Sequence, residues 1–195
     1  MTEAKAQIAA AIAGQGMTAY ENARLFSQVR EMATVDGLTG LYNRNHFFAE
    51  ADRRLRHARH HRQPIAAIMV DIDHFKRIND SYGHPVGDEV IRVVAERLRG
   101  AARDGDVLGR YGGEEFALLS ARPGNAAAEL AERLRQTVAG EPLLTAAGSL
   151  PVTISVGLAY VDGGGEDLTQ LLTRADHALY QAKQTGRDRV CVAPF

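Results

Sequence analysis

The sequence predicts an α/β (α+β) fold, in which a mixed central β-sheet is flanked by helices and preceded by an N-terminal helical extension. Two observations lead to this prediction. Apolar runs of strand length alternate along the chain with segments that repeat apolar residues at helical spacing. The composition is that of an ordinary globular chain, because 45% of the 195 residues are apolar and 24% are charged, which is enough to build one core.

Charge and composition exclude several classes of function. The net charge is −1 and basic residues are intermixed with acidic ones, so we expect no nucleic-acid partner, and any phosphate binding must be local. No apolar run approaches the roughly 20 residues of a membrane helix, and we expect no membrane contact in this segment. The single cysteine, Cys191, cannot form an internal disulfide and favours a reducing, cytoplasmic location.

The first 35 residues differ in composition from the rest and predict a helical linker or stalk, with a helix over residues 18–34. Leu25, Val29 and Met32 form a short apolar seam on this helix. Two interpretations remain open: an amphipathic helix that packs on its own domain, or a parallel coiled-coil stalk below an upstream sensor domain. The turn-rich residues 36–40 mark the boundary, so residues 36–195 form the second predicted domain.

The first half of this domain predicts a helix, a buried strand and another helix. Asn43 can cap a helix that runs to about residue 61, before Pro64. The continuous apolar run 65–70 is typical of a central strand that is buried on both faces. Gly87 opens the next helix, over residues 88–102, which places apolar side chains on one face.

The second half predicts a hairpin, two helices and two strands. Strand-like residues 107–111 and 116–119 flank Gly112 and Gly113, which predicts a β-hairpin turn that tolerates positive backbone φ. Apolar residues at helical spacing predict a helix over 126–138, and a β-branched run predicts a strand over 152–159. The last helix begins at residue 167 or 169 and ends at Gly186. A short strand over residues 190–192 follows.

Acidic residues in the hairpin turn point to a site. Carboxylates are depleted from strands and costly to bury unpaired, yet Glu114 and Glu115 follow the two glycines directly. Asp71 lies where the buried strand ends. If the two strands are neighbours, the carboxylates of Asp71 and Glu114, with the carbonyl of Ile72, can hold Mg²⁺ or Mn²⁺. Alternatively, Asp71 and Asp73 cap a loop.

The segment between Asp71 and Asp88 offers groups that suit a nucleotide. Backbone amides of the turn that contains Phe75 and Lys76 can cradle a phosphate. The amide of Asn79 and the carboxylate of Asp88 match the acceptors and donors of guanine.

Two cations near the end of the last helix form a second candidate for phosphate binding. Lys183 and Arg187 are four residues apart and therefore project from one face of that helix. Alternatively, they only satisfy the dipole at the helix C-terminus.

Five motifs of this sequence resemble, in order and spacing, those of the GGDEF family of diguanylate cyclases. The motifs are DGLTGLYNR (36–44), DIDHFKRIND (71–80), HPVGD (84–88), GGEEF (112–116) and AKQTGR (182–187). The resemblance covers residues 36–192. It implies a fold like that of nucleotidyl cyclases and polymerase palms. It also implies a reaction in which two GTP become cyclic di-GMP and two pyrophosphates.

The resemblance also implies roles for individual residues. Asp71, the Ile72 carbonyl and Glu114 would hold the metal ions, and Glu114 would accept a proton. The triphosphate would be bound by Lys76, which is also assigned to catalysis, by Lys183 and Arg187, and by the segments that contain Phe75, Gly112 and Gly113. Asn79 and Asp88 would bind guanine, and the aspartate favours GTP over adenine nucleotides. Each subunit would bind one GTP, so catalysis requires a homodimer.

Regulation is implied by a further match. Arg103 and Asp106 coincide with the family's inhibitory RxxD site, where cyclic di-GMP would bind as product and inhibitor; alternatively they form a local turn pair. An additional arginine, Arg133 or Arg135, could assist.

Asp188 departs from the asparagine that is more usual in the family, which could weaken Arg187 slightly. Residues 20–30 resemble the last helix of a GAF-type sensor domain.

The alternative functions are a catalytically silent GGDEF module that binds GTP or cyclic di-GMP as a signalling receptor, and a structural dimerisation domain.

Overall fold

A computed structural model describes residues 34–162 and 165–194, together with Met17. The chain divides into two units, Met1–Thr34 and Val35–Phe195, and nearly all described residues belong to the second. The predictions for the helix over residues 18–34, its apolar seam and its GAF-like segment therefore lie outside the described residues. Among the helices that the structure describes, none has the length and apolar character needed to cross a bilayer.

Helices and strands alternate through the second unit. In chain order they are α1 (Arg44–His60), β1 (Pro64–Ile72), α2 (Phe75–Tyr82), α3 (His84–Ala101), β2 (Val107–Arg110), β3 (Glu115–Ser120), α4 (Gly124–Ala139), β4 (Leu143–Thr145), β5 (Gly148–Leu150), β6 (Ile154–Asp162), α5 (Leu168–Gln184) and β7 (Val190–Val192).

The central sheet has five strands in the order β2-β3-β1-β6-β7. Its neighbouring strands are antiparallel except β6 and β7, which are parallel, so the predicted mixed sheet flanked by helices is confirmed. β1 lies in the middle and is buried from Ile65 to its end, as its continuous apolar run predicted.

Each face of the sheet carries its own apolar core, because successive side chains of β1 point to opposite faces. Ile68 and Val70 pack with buried residues of α3 and α4, whereas Ala67 and Met69 pack with those of α1 and α5. α5 approaches β6 closely at Gly157, where a Cβ atom would overlap the backbone of Ala175 and Leu179. This close approach fixes the position of α5, which carries Lys183.

The structure corrects several of the predicted elements. Residues 75–82, expected to be a turn, form the helix α2, and α3 begins at His84 rather than at Asp88. Gly83, with φ of 83°, separates these two helices, which only a glycine adopts readily. The hairpin of β4 and β5 was not predicted. α4 begins at Gly124 instead of residue 126, and β6 at Ile154 instead of residue 152.

Candidate active site

The acidic residues of two motifs meet at one end of the central sheet. β1 and β3 are antiparallel neighbours, and Asp71 lies opposite Glu115 in their ladder. The next residue, Ile72, donates its backbone N–H to the carbonyl oxygen of Glu114 at 3.3 Å. The neighbouring strands therefore meet the condition under which Asp71 and Glu114 can share a ligand.

A lysine that is distant in sequence reaches this acidic cluster. The Nζ atom of Lys183, near the end of α5, lies 2.6 Å from the Oδ2 atom of Asp71. Burial raises the pKa of the Asp71 carboxyl above its usual value, and the charge of Asp73 raises it further, although Lys183 and Arg187 act in the other direction. Lys183 is thus a partner of the acidic cluster rather than only a cation at a helix end.

The two glutamates of the turn are also disfavoured as anions. Burial raises the pKa of Glu114 and of Glu115, and the negative charge of Asp71 raises both, while Lys183 lowers them. Three carboxylates therefore share one close ammonium group, and their mutual repulsion remains partly uncompensated. A divalent cation with oxygen ligands would relieve this repulsion.

The donor set at this end of the sheet fits a hard metal ion. Nowhere in residues 34–162 and 165–194 do three or more His, Cys, Asp or Glu side chains form a group that could hold a metal. The ligands expected here are two carboxylates, of Asp71 and Glu114, and the backbone carbonyl of Ile72. Such a small set of hard oxygen donors suits Mg²⁺, which usually keeps water and substrate oxygens in its shell.

Asp73 has a different role from Asp71. Its buried carboxylate accepts hydrogen bonds from the hydroxyls of Thr153 and Ser155, each at 2.7 Å, and from the backbone N–H of Asp188 at 3.0 Å. Its own N–H donates to the carbonyl of Thr153. The loop-capping interpretation therefore describes Asp73, whereas Asp71 faces the acidic cluster.

The Gly-Gly turn does not use the positive φ that its glycines would tolerate. Neither Gly112 nor Gly113 is among the described residues with positive φ. The turn is instead held by Arg110, whose guanidinium donates to the carbonyl of Gly113 at 2.6 Å and to both carboxylate oxygens of Asp36 at 3.2 Å. This arginine ties the turn to the start of the compact unit.

The guanine-binding candidates lie on α2 and at the beginning of α3. Asn79 is half-buried, and its Oδ1 atom has no hydrogen-bond partner among the described residues. Gly87 packs directly against this oxygen, because a Cβ atom there would overlap it. The next residue, Asp88, is exposed. A buried acceptor without a partner is uncommon in native proteins. Phe75 is buried and Lys76 is exposed in the first turn of α2.

Arg187 lies in a sharp backbone turn, residues 186–188, which forms a corner after α5. Gly186, Arg187 and Asp188 have consecutive φ values of 126°, 61° and 44°, a left-handed conformation that costs non-glycine residues about 1–2 kcal/mol each. The Asp188 carboxylate accepts a hydrogen bond from Arg135 at 2.6 Å. The negative charge that was expected to weaken Arg187 is therefore paired with Arg135.

The RxxD residues lie away from the acidic cluster, at the turn between α3 and β2. The carboxylate of Asp106 accepts bonds from the backbone N–H of Arg103, the hydroxyl of Ser120 and the guanidinium of Arg122. The side chains of Arg122 and Asp106 are buried in this ion pair. Sequence reasoning missed Arg122 because no local pattern links it to Asp106.

The guanidinium of Arg103 is free to bind an anion, since no hydrogen bond or ion pair of it occurs within the described ranges. It lines a cavity beside the turn with Arg99, Tyr42 and Asp104. Arg133 donates to the carbonyl of Ala101, close to this cavity.

Comparison with known proteins supports these observations. The family model "Diguanylate cyclase, GGDEF domain" matches residues 33–189. "Response regulator PleD" of Caulobacter vibrioides is 44% identical over 165 residues, which cover 82% of this chain and 36% of PleD. "Cyclic di-GMP phosphodiesterase NbdA" of Pseudomonas aeruginosa is 39% identical, over 83% of this chain and 21% of NbdA. The chain thus spans well under half of each.

A solved structure shares both fold and sequence. The coiled coil and GGDEF domain of DgcB from Caulobacter crescentus, in complex with c-di-GMP, superposes with a TM-score of 0.78 at 35% identity. The match covers 95% of this chain and 99% of that one.

Proposed function

This chain belongs to the GGDEF family of diguanylate cyclases, and from that premise we propose that it condenses two GTP into cyclic di-GMP with release of two pyrophosphates. The observation that carries the proposal is the cluster of Asp71, Glu114 and Glu115 around Lys183 at the end of two neighbouring strands. A structural dimerisation domain would have no reason to gather charges that raise one another's pKa.

The metal ion of the reaction would be Mg²⁺ or Mn²⁺, held by the carboxylates of Asp71 and Glu114 and by the carbonyl of Ile72. When bound, such an ion lowers the pKa of the attacking 3′-hydroxyl and neutralises charge that develops on the α-phosphate and the leaving group.

The protein's own groups supply the remaining steps. Glu114 accepts the proton of the 3′-hydroxyl as a general base that is positioned at the metal site. Lys183 can exchange the Asp71 carboxylate for triphosphate oxygens, and Arg187 and Lys76 add further positive charge. These cations orient the triphosphate for attack on its α-phosphorus.

Guanine is recognised by Asn79 and Asp88. The side-chain amide of Asn79 can donate to the acceptor atoms of guanine, and the exposed carboxylate of Asp88 can accept from N1–H and from the exocyclic amine. Adenine lacks both donors at these positions. One chain binds one GTP, so the reaction takes place between two copies in a homodimer, which an upstream sensor domain in a longer protein would regulate.

Incubation of the purified chain with GTP and Mg²⁺ tests the proposal directly. Chromatography should detect cyclic di-GMP and pyrophosphate, and omission of the metal or replacement of GTP by ATP should abolish both. Lack of product from a chain that is dimeric by light scattering would contradict the proposal. The alternative, a catalytically silent module that binds GTP or cyclic di-GMP as a receptor, would then account for retained nucleotide binding.

Product inhibition is the regulatory part of the proposal. Arg103 is exposed and unpaired in the described structure, and an arginine can grip a phosphate with two parallel hydrogen bonds and stack on guanine. Arg133 is better placed than Arg135 to assist, because Arg133 contacts Ala101 while Arg135 is engaged by Glu132 and Asp188.

Replacing Arg103 with alanine should relieve inhibition by added cyclic di-GMP, with an increase of about tenfold or more in the half-inhibitory concentration. The reason is that a hydrogen bond to a charged group contributes about 1.5–3 kcal/mol. Rates are measured at several product concentrations. The control is Arg59→Ala, an exposed arginine near the end of α1. Unchanged inhibition in Arg103→Ala would assign the effect to another site.

A further inference from the structure

We propose that Asp73 and Arg135 are positioning residues that hold Arg187 in the direction required to bind the triphosphate. This inference rests on the proposed function, since it concerns how one of its phosphate-binding cations is oriented. Neither residue is a candidate ligand of the substrate. Each reaches the chain at Asp188, the residue that follows Arg187, and each does so from a different part of the fold.

The corner that carries Arg187 requires external support. Arg187 and Asp188 are consecutive non-glycine residues with φ of 61° and 44°, after Gly186 at 126°. Such conformations persist only when surrounding contacts determine them, and they concentrate at functional sites. The N–H of Arg187 returns to the carbonyl of Ala182 at 2.9 Å, which closes the end of α5. This bond alone does not determine the conformation of Asp188.

Asp73 supports the corner from the sheet. Its carboxylate is buried, at 4% exposure, and the N–H of Asp188 donates to its Oδ2 atom at 3.0 Å. The two hydroxyls of Thr153 and Ser155 hold that carboxylate in place at 2.7 Å each. Because β6 is a central strand, the backbone of Asp188 is tied to the rigid part of the molecule.

Arg135 supports the corner from α4. Its guanidinium contacts the Asp188 carboxylate at 2.6 Å and is itself held by Glu132 through two hydrogen bonds. A neutral residue at position 188 would form no ion pair here. The second support therefore depends on the charge of Asp188, which strengthens the corner rather than weakening Arg187.

The two supports have a predictable consequence for binding. The positive charge of Arg187 lowers the pKa of Asp71, so its guanidinium lies within electrostatic reach of the acidic cluster. Arg189 also contacts this corner, because its Nε atom donates to the carbonyl of Arg187 at 2.9 Å. Loss of either support at Asp188 loosens the corner and lets Arg187 adopt other directions. Affinity should then fall for ligands that carry a triphosphate and remain the same for ligands that lack it.

The experiment measures binding by calorimetry in the presence of Mg²⁺. One ligand is a GTP analogue with a methylene bridge between the α- and β-phosphates, which cannot release pyrophosphate, and the other is GMP. Arg135→Ala and Asp73→Asn should each weaken binding of the analogue by about tenfold, the lower end of the loss found when residues that orient metal ligands are replaced. Binding of GMP should stay unchanged. In an Arg187→Ala background, Arg135→Ala should have no further effect.

The matched control is Arg174→Ala, which removes a partly exposed ion pair between Arg174 of α5 and Glu166 and should leave both affinities unchanged. Equal affinity for the analogue in Arg135→Ala and the unaltered chain, or equal losses for the analogue and GMP, would overturn the inference. If Asp73→Asn does not fold, the partly exposed Arg135 still decides the question. Failure of the unaltered chain to bind the analogue would overturn the proposed function and this inference together.

Discussion

Replacing Glu114 with glutamine is expected to reduce the rate of cyclic di-GMP formation by about 100- to 10,000-fold, the usual contribution of a positioned general base. The amide cannot accept the proton of the 3′-hydroxyl and is a poorer metal ligand than the carboxylate. Its shape is nearly unchanged, so the fold should be retained. The measurement is the initial rate with GTP and Mg²⁺, at a GTP concentration well above the KM of the unaltered chain.

The same substitution should alter how stability depends on pH in the metal-free chain. The pKa of Glu114 is raised by burial and by Asp71, so ionisation is less favourable in the folded state than in the unfolded state. Ionisation of Glu114 therefore lowers the free energy of unfolding as the pH rises from about 4.3, the ordinary glutamate value, through the raised pKa. In Glu114→Gln this loss of stability with rising pH should be smaller. The melting temperature of the variant at pH 7 should equal or exceed that of the unaltered chain.

Glu129→Gln is the control for both measurements, because Glu129 is an exposed glutamate on α4. It should change neither the rate nor the pH profile. A Glu114→Gln variant that keeps full activity would contradict the assigned role of Glu114. A melting temperature that falls in metal-free buffer at pH 7 would contradict the claim that the carboxylates repel one another.

Periodicity and turn chemistry predicted the elements that build the core. The continuous apolar run 65–70 identified a central strand, and the spacing of Val90, Ile91, Val94 and Leu98 identified the buried face of α3. The same signals failed where elements are short. The eight residues of α2 and the three-residue strands β4 and β5 contain too few apolar positions to show a period, and tertiary contacts decide their conformation.

The candidate site likewise has features that the sequence predicted and features that it did not. Acidic residues next to a buried strand and a Gly-Gly turn point to a metal site from the sequence alone, because their chemistry is local. The supports of the site are not local: Asp73 bonds to Asp188 across 115 residues of sequence, and Arg135 reaches Asp188 across 53. No pattern in the chain indicates such pairs.

Replacing Arg122 with alanine should destabilise the fold by about 3–5 kcal/mol, the usual result of removing one partner of a buried ion pair. The side chains of Arg122 and Asp106 are only 8% and 6% exposed, so the substitution leaves the Asp106 carboxylate buried and without its counter-ion. For a domain of this size the melting temperature should fall by roughly 6–20 °C. Differential scanning calorimetry measures the change, and urea titration at 25 °C gives the free energy of unfolding.

Two further variants show whether burial of the ion pair and its unpaired charge cause the destabilisation in Arg122→Ala. Arg53→Ala removes an arginine–carboxylate pair of α1 whose arginine is 62% exposed, and it should cost no more than about 1 kcal/mol. The double variant Arg122→Met with Asp106→Leu removes both buried charges and should recover most of the lost stability. It should not recover product inhibition, because Asp106 also accepts the N–H of Arg103 and thereby orders the RxxD turn. Asp106→Leu also removes the acceptor of the Ser120 hydroxyl and of the Arg103 N–H, so Asp106→Leu alone is measured beside the double variant. A double variant that is no more stable than the sum of the two single losses predicts would contradict the assignment of the loss to the unpaired carboxylate.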